Sequence, residues 1–175
     1  ANEIVLLAYY IAAINIEETF HELTNNEMYV PFDGIILTDT FQLYEDYDEN
    51  EWTKKINDLA LPENSERAKK QRDLAITVCL GNPPYSVGQK SQNDNAQNLK
   101  YPKLDEKISK TYVENSTAQS NKATYDAYIK AFRWASDRIE KNGIVSFITN
   151  GAFIDNKGMD GFRKCLLNEF TSIYI

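Results

Sequence analysis

Hydrophobic positions along this chain follow two rhythms, one of helices and one of strands. Residues 3–17, EIVLLAYYIAAINIE, are apolar on every side of a 3.6-residue repeat, which predicts a well-buried helix. Gly34-Ile35-Ile36-Leu37-Thr38 is a short β-branched run bounded by Gly and Asp, and predicts a strand. Residues 44–72 turn acidic and then basic around Pro62, Asn64 and Ser65, which predicts a loop followed by a short helix. Leu74-Ala75-Ile76-Thr77-Val78-Cys79-Leu80 is almost continuously apolar, the pattern of a central parallel strand covered on both faces. It stops at Gly81-Asn82-Pro83-Pro84, where two prolines forbid further ladder hydrogen bonds. Residues 86–120 are rich in Ser, Asn, Gln and Lys with few core formers, and predict a long polar loop of the kind that carries function.

Beyond that loop the helical rhythm returns. Tyr125, Tyr128, Ile129, Phe132, Ala135 and Ile139 recur at three- and four-residue spacings, predicting an amphipathic helix over residues 121–141 with Gly143 near its cap. At least three of Tyr125, Tyr128, Phe132 and Trp134 are expected in the core. Residues 144–149 read as a strand, 162–170 as a helix and 172–175 as a last strand. Strands and helices in this order predict an open α/β sheet, in which ligands sit beyond the carboxyl ends of the strands. The whole of residues 1–175 reads as one domain. Because it opens on Ala-Asn-Glu-Ile, within an apolar stretch, the chain reads as a piece of something longer.

Composition narrows the function classes. With 42% hydrophobic and 26% charged residues, the chain is globular in type rather than disordered. No apolar run approaches bilayer length, so a membrane partner is not expected. Two distant cysteines, Cys79 and Cys165, make no disulfide framework and point to a reducing cytoplasm. A lone histidine, His21, gives no metal pattern, and no metal site is expected. The net charge of −7 is uneven: residues 1–66 carry 15 acidic and 2 basic side chains, residues 67–175 carry 11 and 17. The half that holds the tetrapeptide is therefore the basic one.

Asn82-Pro83-Pro84-Tyr85 carries the chemistry. A planar NH2 group is a poor nucleophile because its lone pair is delocalised. Two acceptors aimed at its hydrogens, an Asn side-chain carbonyl and a nearby backbone carbonyl, stabilise the positive charge that develops as it attacks a sulfonium methyl. The two prolines stiffen the loop in advance, and Tyr85 offers a flat face to an extruded base. Taken as four letters the segment is equally a proline turn ending a strand. Its position, between a seven-residue apolar strand and a long polar loop, favours the catalytic reading.

LAITVCLGNPPYS resembles the catalytic motif of the amino-methyltransferases that modify DNA at adenine N6, in the gamma motif order, with Asn82, Pro83, Pro84 and Tyr85 in its four places. The resemblance covers almost the whole chain. It implies a partial Rossmann-like, S-adenosylmethionine-dependent methyltransferase fold: α/β, mostly parallel, with helices on both sheet faces. EIVLLAYYIAAINIE resembles the segment whose acid, here Glu3, binds the donor's ribose hydroxyls. GIILTDTF resembles the next motif, which implies Asp39 against the donor's adenine with Thr40 beside the ring. Asn82 and Pro84 are implied as donor contacts too. GIVSFITNGAFID resembles the strand that closes the base pocket, which implies Phe147, with Phe153 in reserve, packing on the flipped adenine. GNPPYSVGQKSQNDNAQN and YDAYIKAFRWASDRI look most like large restriction enzymes that fuse nuclease, helicase and methyltransferase. The family's glycine-containing donor loop is implied upstream of Ala1 and a target-recognition domain downstream. The piece as given is then expected to be inactive alone, with duplex DNA met through the recognition domain and loop 86–120.

Read singly, the same residues have plainer roles. Glu3 is a solvated or helix-N-terminal acid, Asp39 a turn or cap, and Phe147 a core strand residue. Two other functions fit the motif: methylation of a protein glutamine amide, which is also a planar NH2, and a non-catalytic assembly or DNA-docking module.

Overall fold

A computed structural model describes residues 1–24, 28–45, 62–84 and 101–175, which fall into two compact units, Ala1–Leu74 and Ala75–Ile175. Strands and helices mix, and the strands pair in parallel. Among the described residues no helix is long and apolar enough to cross a membrane.

In the first unit, β1 (Asn2–Glu3) is followed by α1 (Leu6–Thr24) and β2 (Ile36–Leu37). The strands pair in parallel, Asn2 opposite Ile36 and Glu3 opposite Leu37. Parallel neighbours need a crossover, and α1 supplies it. Side chains on β2 alternate between two faces. Ile35 and Leu37 pack with Tyr9, Ala12 and Ala13 of α1, while Ile36 packs with Ala68 of α2 (Pro62–Asp73). The predicted strand and its following short helix are therefore present, and β2 is covered on both sides.

α1 departs from expectation. It starts three residues later than the apolar run and Tyr9 is its one buried residue, while Leu7, Tyr10, Ile11 and Ile14 are exposed. A helix that is apolar all round can give only one face to a two-stranded sheet, and no described element covers the other.

The second unit pairs β3 (Ile76–Gly81) in parallel with β4 (Ile139–Phe147), with Val78, Cys79, Leu80 and Gly81 opposite Ile144, Val145, Ser146 and Phe147. Among the described residues the expected coverage of β3 on both faces is not found: Leu80 is 75% and Val78 51% exposed. A continuous apolar run specifies a strand, but not what lies on it. Near its start β4 bulges, since Thr77 alone separates Ile76 from Val78 while residues 140–143 separate their partners. Gly143 sits in this bulge and not in a helix cap; a Cβ there would lie 2.9 Å from that of Ile139 and 3.1 Å from the Thr77 carbonyl oxygen.

The polar stretch 86–120 also differs from the loop expected. Residues 86–100 lie outside the described residues, but α3 (Pro102–Ile108) runs on into a π-helical turn, Ser109–Val113. Proline starts the helix where its missing N–H costs nothing, and Leu104, Ile108 and Tyr112 repeat at four-residue spacing and are fully buried. Their signal is diluted by the Lys, Asp, Glu and Ser between them.

The predicted amphipathic helix is α4 (Ala127–Arg138), preceded by a 3-10 turn over Lys122–Tyr125 and followed directly by β4. Tyr128 is buried and Phe132 and Trp134 are half-buried, whereas Tyr125 is exposed. After α5 (Ala152–Asp155), α6 (Asp160–Glu169) matches the last predicted helix. Residues 172–175 form no strand and are exposed. Phe132 joins this core together, its ring centroid 5.1 Å from Phe147, 5.3 Å from Phe162 and 6.2 Å from Phe153.

Candidate functional site

The two units each bring candidate residues to the carboxyl ends of a parallel strand pair. In the second unit β3 ends at Gly81, whose carbonyl accepts from the Ile148 amide at 3.0 Å. That bond ties the last residue of β3 to the residue just beyond β4. Asn82 and Pro84 then leave the sheet exposed, with Pro83 half-buried between them. Prolines have no amide to continue the ladder, so the chain must turn away at this point.

Phe147 lies opposite Gly81, and its ring stands 3.6 Å from where a Cβ of residue 81 would be. The aromatic nominated for the base pocket is thus beside the residue that precedes Asn82. It is half-buried and rests edge-on against Phe132. Phe153 sits differently: it is only 8% exposed and is enclosed by Phe132, Phe162 and Tyr128. Such a ring packs the core and offers little surface to a ligand. Tyr85 lies outside the described residues. Cys79, three residues before Asn82, has its thiol pKa pushed up by burial despite the opposing charge of Arg138, which makes it a poor nucleophile.

In the first unit Glu3 and Asp39 stand at the ends of adjacent strands. The Thr38 amide donates to the Glu3 carbonyl at 2.8 Å, so β1 and β2 finish side by side. The Glu3 carboxylate accepts from the amides of Ile4 and Val5, both at 2.8 Å, and so meets the first amides leading into α1. Asp39 turns its carboxylate to the Phe41 amide at 2.9 Å, holding the turn that follows β2, and Thr40 begins the 3-10 segment Phe41–Tyr44. Both acids therefore do the plain capping work foreseen for them, while being half-buried at a strand end.

One polar residue of this unit had no signal in the sequence. Asn64, on α2, is 1% exposed; its carbonyl accepts from the Leu37 amide at 2.8 Å and its amide donates to the Leu37 carbonyl at 2.9 Å. An asparagine in the first turn of a helix is commonplace, and only the fold reveals where it points.

The family model described as the Eco57I restriction-modification methylase matches residues 8–175. The chain belongs to this methylase family. Among solved structures, the family segment resembles a nuclease-deletion mutant of the Type ISP restriction-modification enzyme LlaGI, in complex with a DNA substrate mimic (47% identity over 97% of this chain, TM-score 0.83). It also resembles the ATP-dependent Type ISP enzyme LlaBIII bound to DNA (49% over 95%, TM-score 0.81). A third similar structure is the DrdV–DNA complex (40% over 97%, TM-score 0.78). None of the curated proteins matches the chain. The segment spans 13%, 11% and 16% of the three structural relatives' own lengths.

Proposed function

We propose that the intact protein transfers the methyl group of S-adenosylmethionine to N6 of an adenine flipped out of duplex DNA, as the methyltransferase part of a cytoplasmic restriction-modification enzyme. The observation that carries this reading is Asn82-Pro83-Pro84 leaving the carboxyl end of a parallel strand, beside Phe147 on the neighbouring strand. Membership of the methylase family and likeness to DNA-bound restriction enzymes support it. We read residues 1–175 as part of one Rossmann-like catalytic domain, joined in the full chain to nuclease, helicase and target-recognition parts.

The donor set suits S-adenosylmethionine, since two carboxylates at neighbouring strand ends match a ribose diol and an exocyclic amine, both of which are hydrogen-bond donors. Glu3 would hold the ribose and Asp39 would accept from the adenine amine with Thr40 beside the ring; Asn82 and Pro84 are proposed as further donor contacts. When bound, the donor supplies an electrophilic methyl on a sulfonium. The chain's own task is to prepare the amine. The Asn82 carbonyl, with a backbone carbonyl of the same loop, accepts from the amine's two hydrogens and draws the nitrogen toward tetrahedral geometry. Tyr85 and Phe147 hold the extruded base by stacking, and the prolines keep the acceptors from relaxing.

The deciding experiment is methyl transfer from labelled S-adenosylmethionine to duplex DNA by the full-length protein and its Asn82→Ala and Tyr85→Ala variants. Label on adenine N6 that Asn82→Ala abolishes is the expected result. An intact protein that labels a protein glutamine and leaves DNA unlabelled would assign the loop to another amide-like substrate.

A further inference from the structure

We propose that Asn64 is a positioning residue for the donor site, acting on Asp39 through β2; the inference rests on the donor reading of Asp39 given above. In a parallel ladder successive residues direct their amide and carbonyl to opposite edges. Ile36 and Thr38 donate toward β1, to the carbonyls of Ala1 at 2.9 Å and Glu3 at 2.8 Å. Leu37 therefore faces away from β1, with both its polar groups on the outer edge. There Asn64 meets them as a neighbouring strand would, accepting at 2.8 Å and donating at 2.9 Å.

One turn further along α2, Arg67 reaches the same edge, donating to the Ile35 carbonyl and the Tyr9 hydroxyl, each at 3.4 Å. The helix thus takes the place of a strand along β2 up to the last residue before Thr38-Asp39. Past Leu37 the chain is held by β1 on one side, through Thr38, and by Asn64 on the other. Asn64 is 1% exposed, so its carboxamide has neither water to turn toward nor room to relax. Only a side chain with a donor and an acceptor at this reach completes the pair. An ionised aspartate lacks the donor and alanine lacks both.

A residue that aims Asp39 controls how well the site tells an amine from a carbonyl on the donor's purine, whereas a residue that merely stabilises the fold does not. The test uses the full-length protein and measures Kd for S-adenosylhomocysteine and for its 6-oxo counterpart, in which the exocyclic amine is replaced. Asp39→Ala is expected to level the wild-type preference for the amine. Asn64→Ala is expected to cut that preference about tenfold, the weight of one hydrogen bond to a charged group. Should Asn64→Ala fail to fold by thermal melting, Asn64→Asp, of the same size, decides the question. Equal weakening of both ligands by the Asn64 variants, or no weakening, while Asp39→Ala levels the preference, overturns the positioning role alone. Preference retained in Asp39→Ala, or absent from the wild type, refutes the donor reading and this inference with it.

Discussion

A Cβ placed on Gly161 would run into the carbonyl oxygen of Tyr112. The first turn of α6 therefore rests directly on the backbone of the π-helical turn, and the same position would meet the Ser116 amide nitrogen at 2.8 Å. Backbone atoms cannot swing aside as a flexible side chain can. Gly161→Ala is expected to destabilise the second unit at the upper end of the about 1–3 kcal/mol typical of overpacking. Urea unfolding checks this, and a midpoint equal to wild type would show that the two segments separate freely.

The neighbouring residue gives a pH dependence. The Ser116 hydroxyl, then the Thr117 amide at 2.9 Å and hydroxyl at 2.7 Å, hold the Asp160 carboxyl far below its usual range, against the opposing effect of burial and with help from Lys164. A carboxyl depressed in the native state contributes stability above its unfolded pKa of about 4 and loses it as pH falls toward the native value. Wild type should exceed Asp160→Asn in stability at neutral pH, and the gap should close as pH falls below about 4. Denaturant midpoints across that range measure it; a gap independent of pH would contradict the assignment.

Arg133 is the buried cation of the second unit, 5% exposed, paired with Asp137 and Glu169 at 2.7 Å each and lying over the Tyr112 ring. Burial works against its charge, but Tyr112, Glu169 and Asp137 together hold it firmly protonated. Arg133→Met is expected to cost about 1–3 kcal/mol, chiefly by removing the charge-assisted hydrogen bonds that the buried guanidinium makes to Glu169 and Asp137. Thermal melting of Arg133→Met, Glu169→Gln and the Arg133→Met/Glu169→Gln double variant tests this. Additive losses would mean that the pair is not coupled.

Phe147 offers a prediction on activity. If its ring supports the target base, Phe147→Ala should lower kcat/KM for DNA about ten- to a hundredfold, the range of one base–aromatic stack. The ring also packs on Phe132, so the melting temperature must be read alongside. An activity loss no larger than that of Phe153→Ala would leave Phe147 as an ordinary member of the aromatic core.

Much of this was legible from residue order. Strand-forming runs around Ile36, Val78 and Val145, and helices around Ile129 and Cys165, announce themselves because local periodicity is a property of the elements themselves. So does the place where β3 ends, since two prolines have no N–H to carry a ladder further. Burial was less legible. The exposed Leu7, Ile14, Val78 and Leu80 show that apolar spacing states which face seeks cover, while the cover belongs to another segment. Asn64 was hidden for a similar reason: its hydrogen bonds join residues 27 positions apart, and no local pattern encodes that meeting. Helix α3 and the π-helical turn after it were masked by their own charges, the three buried side chains Leu104, Ile108 and Tyr112 too sparse to outweigh them.

The bulge at the start of β4 acts as slack. Residues 140–143 are spent outside the regular ladder, yet by Ile144 the strands are in step, and they stay so to the Gly81–Phe147 pair. Removing one residue from 140–142 can be absorbed there, leaving the aromatic ring on the same side of the sheet. Removing one from 144–146 cannot, because each one-residue slip in a strand turns every later side chain over. Length variation should therefore be tolerated before Gly143 and forbidden after it, although both stretches belong to a single strand.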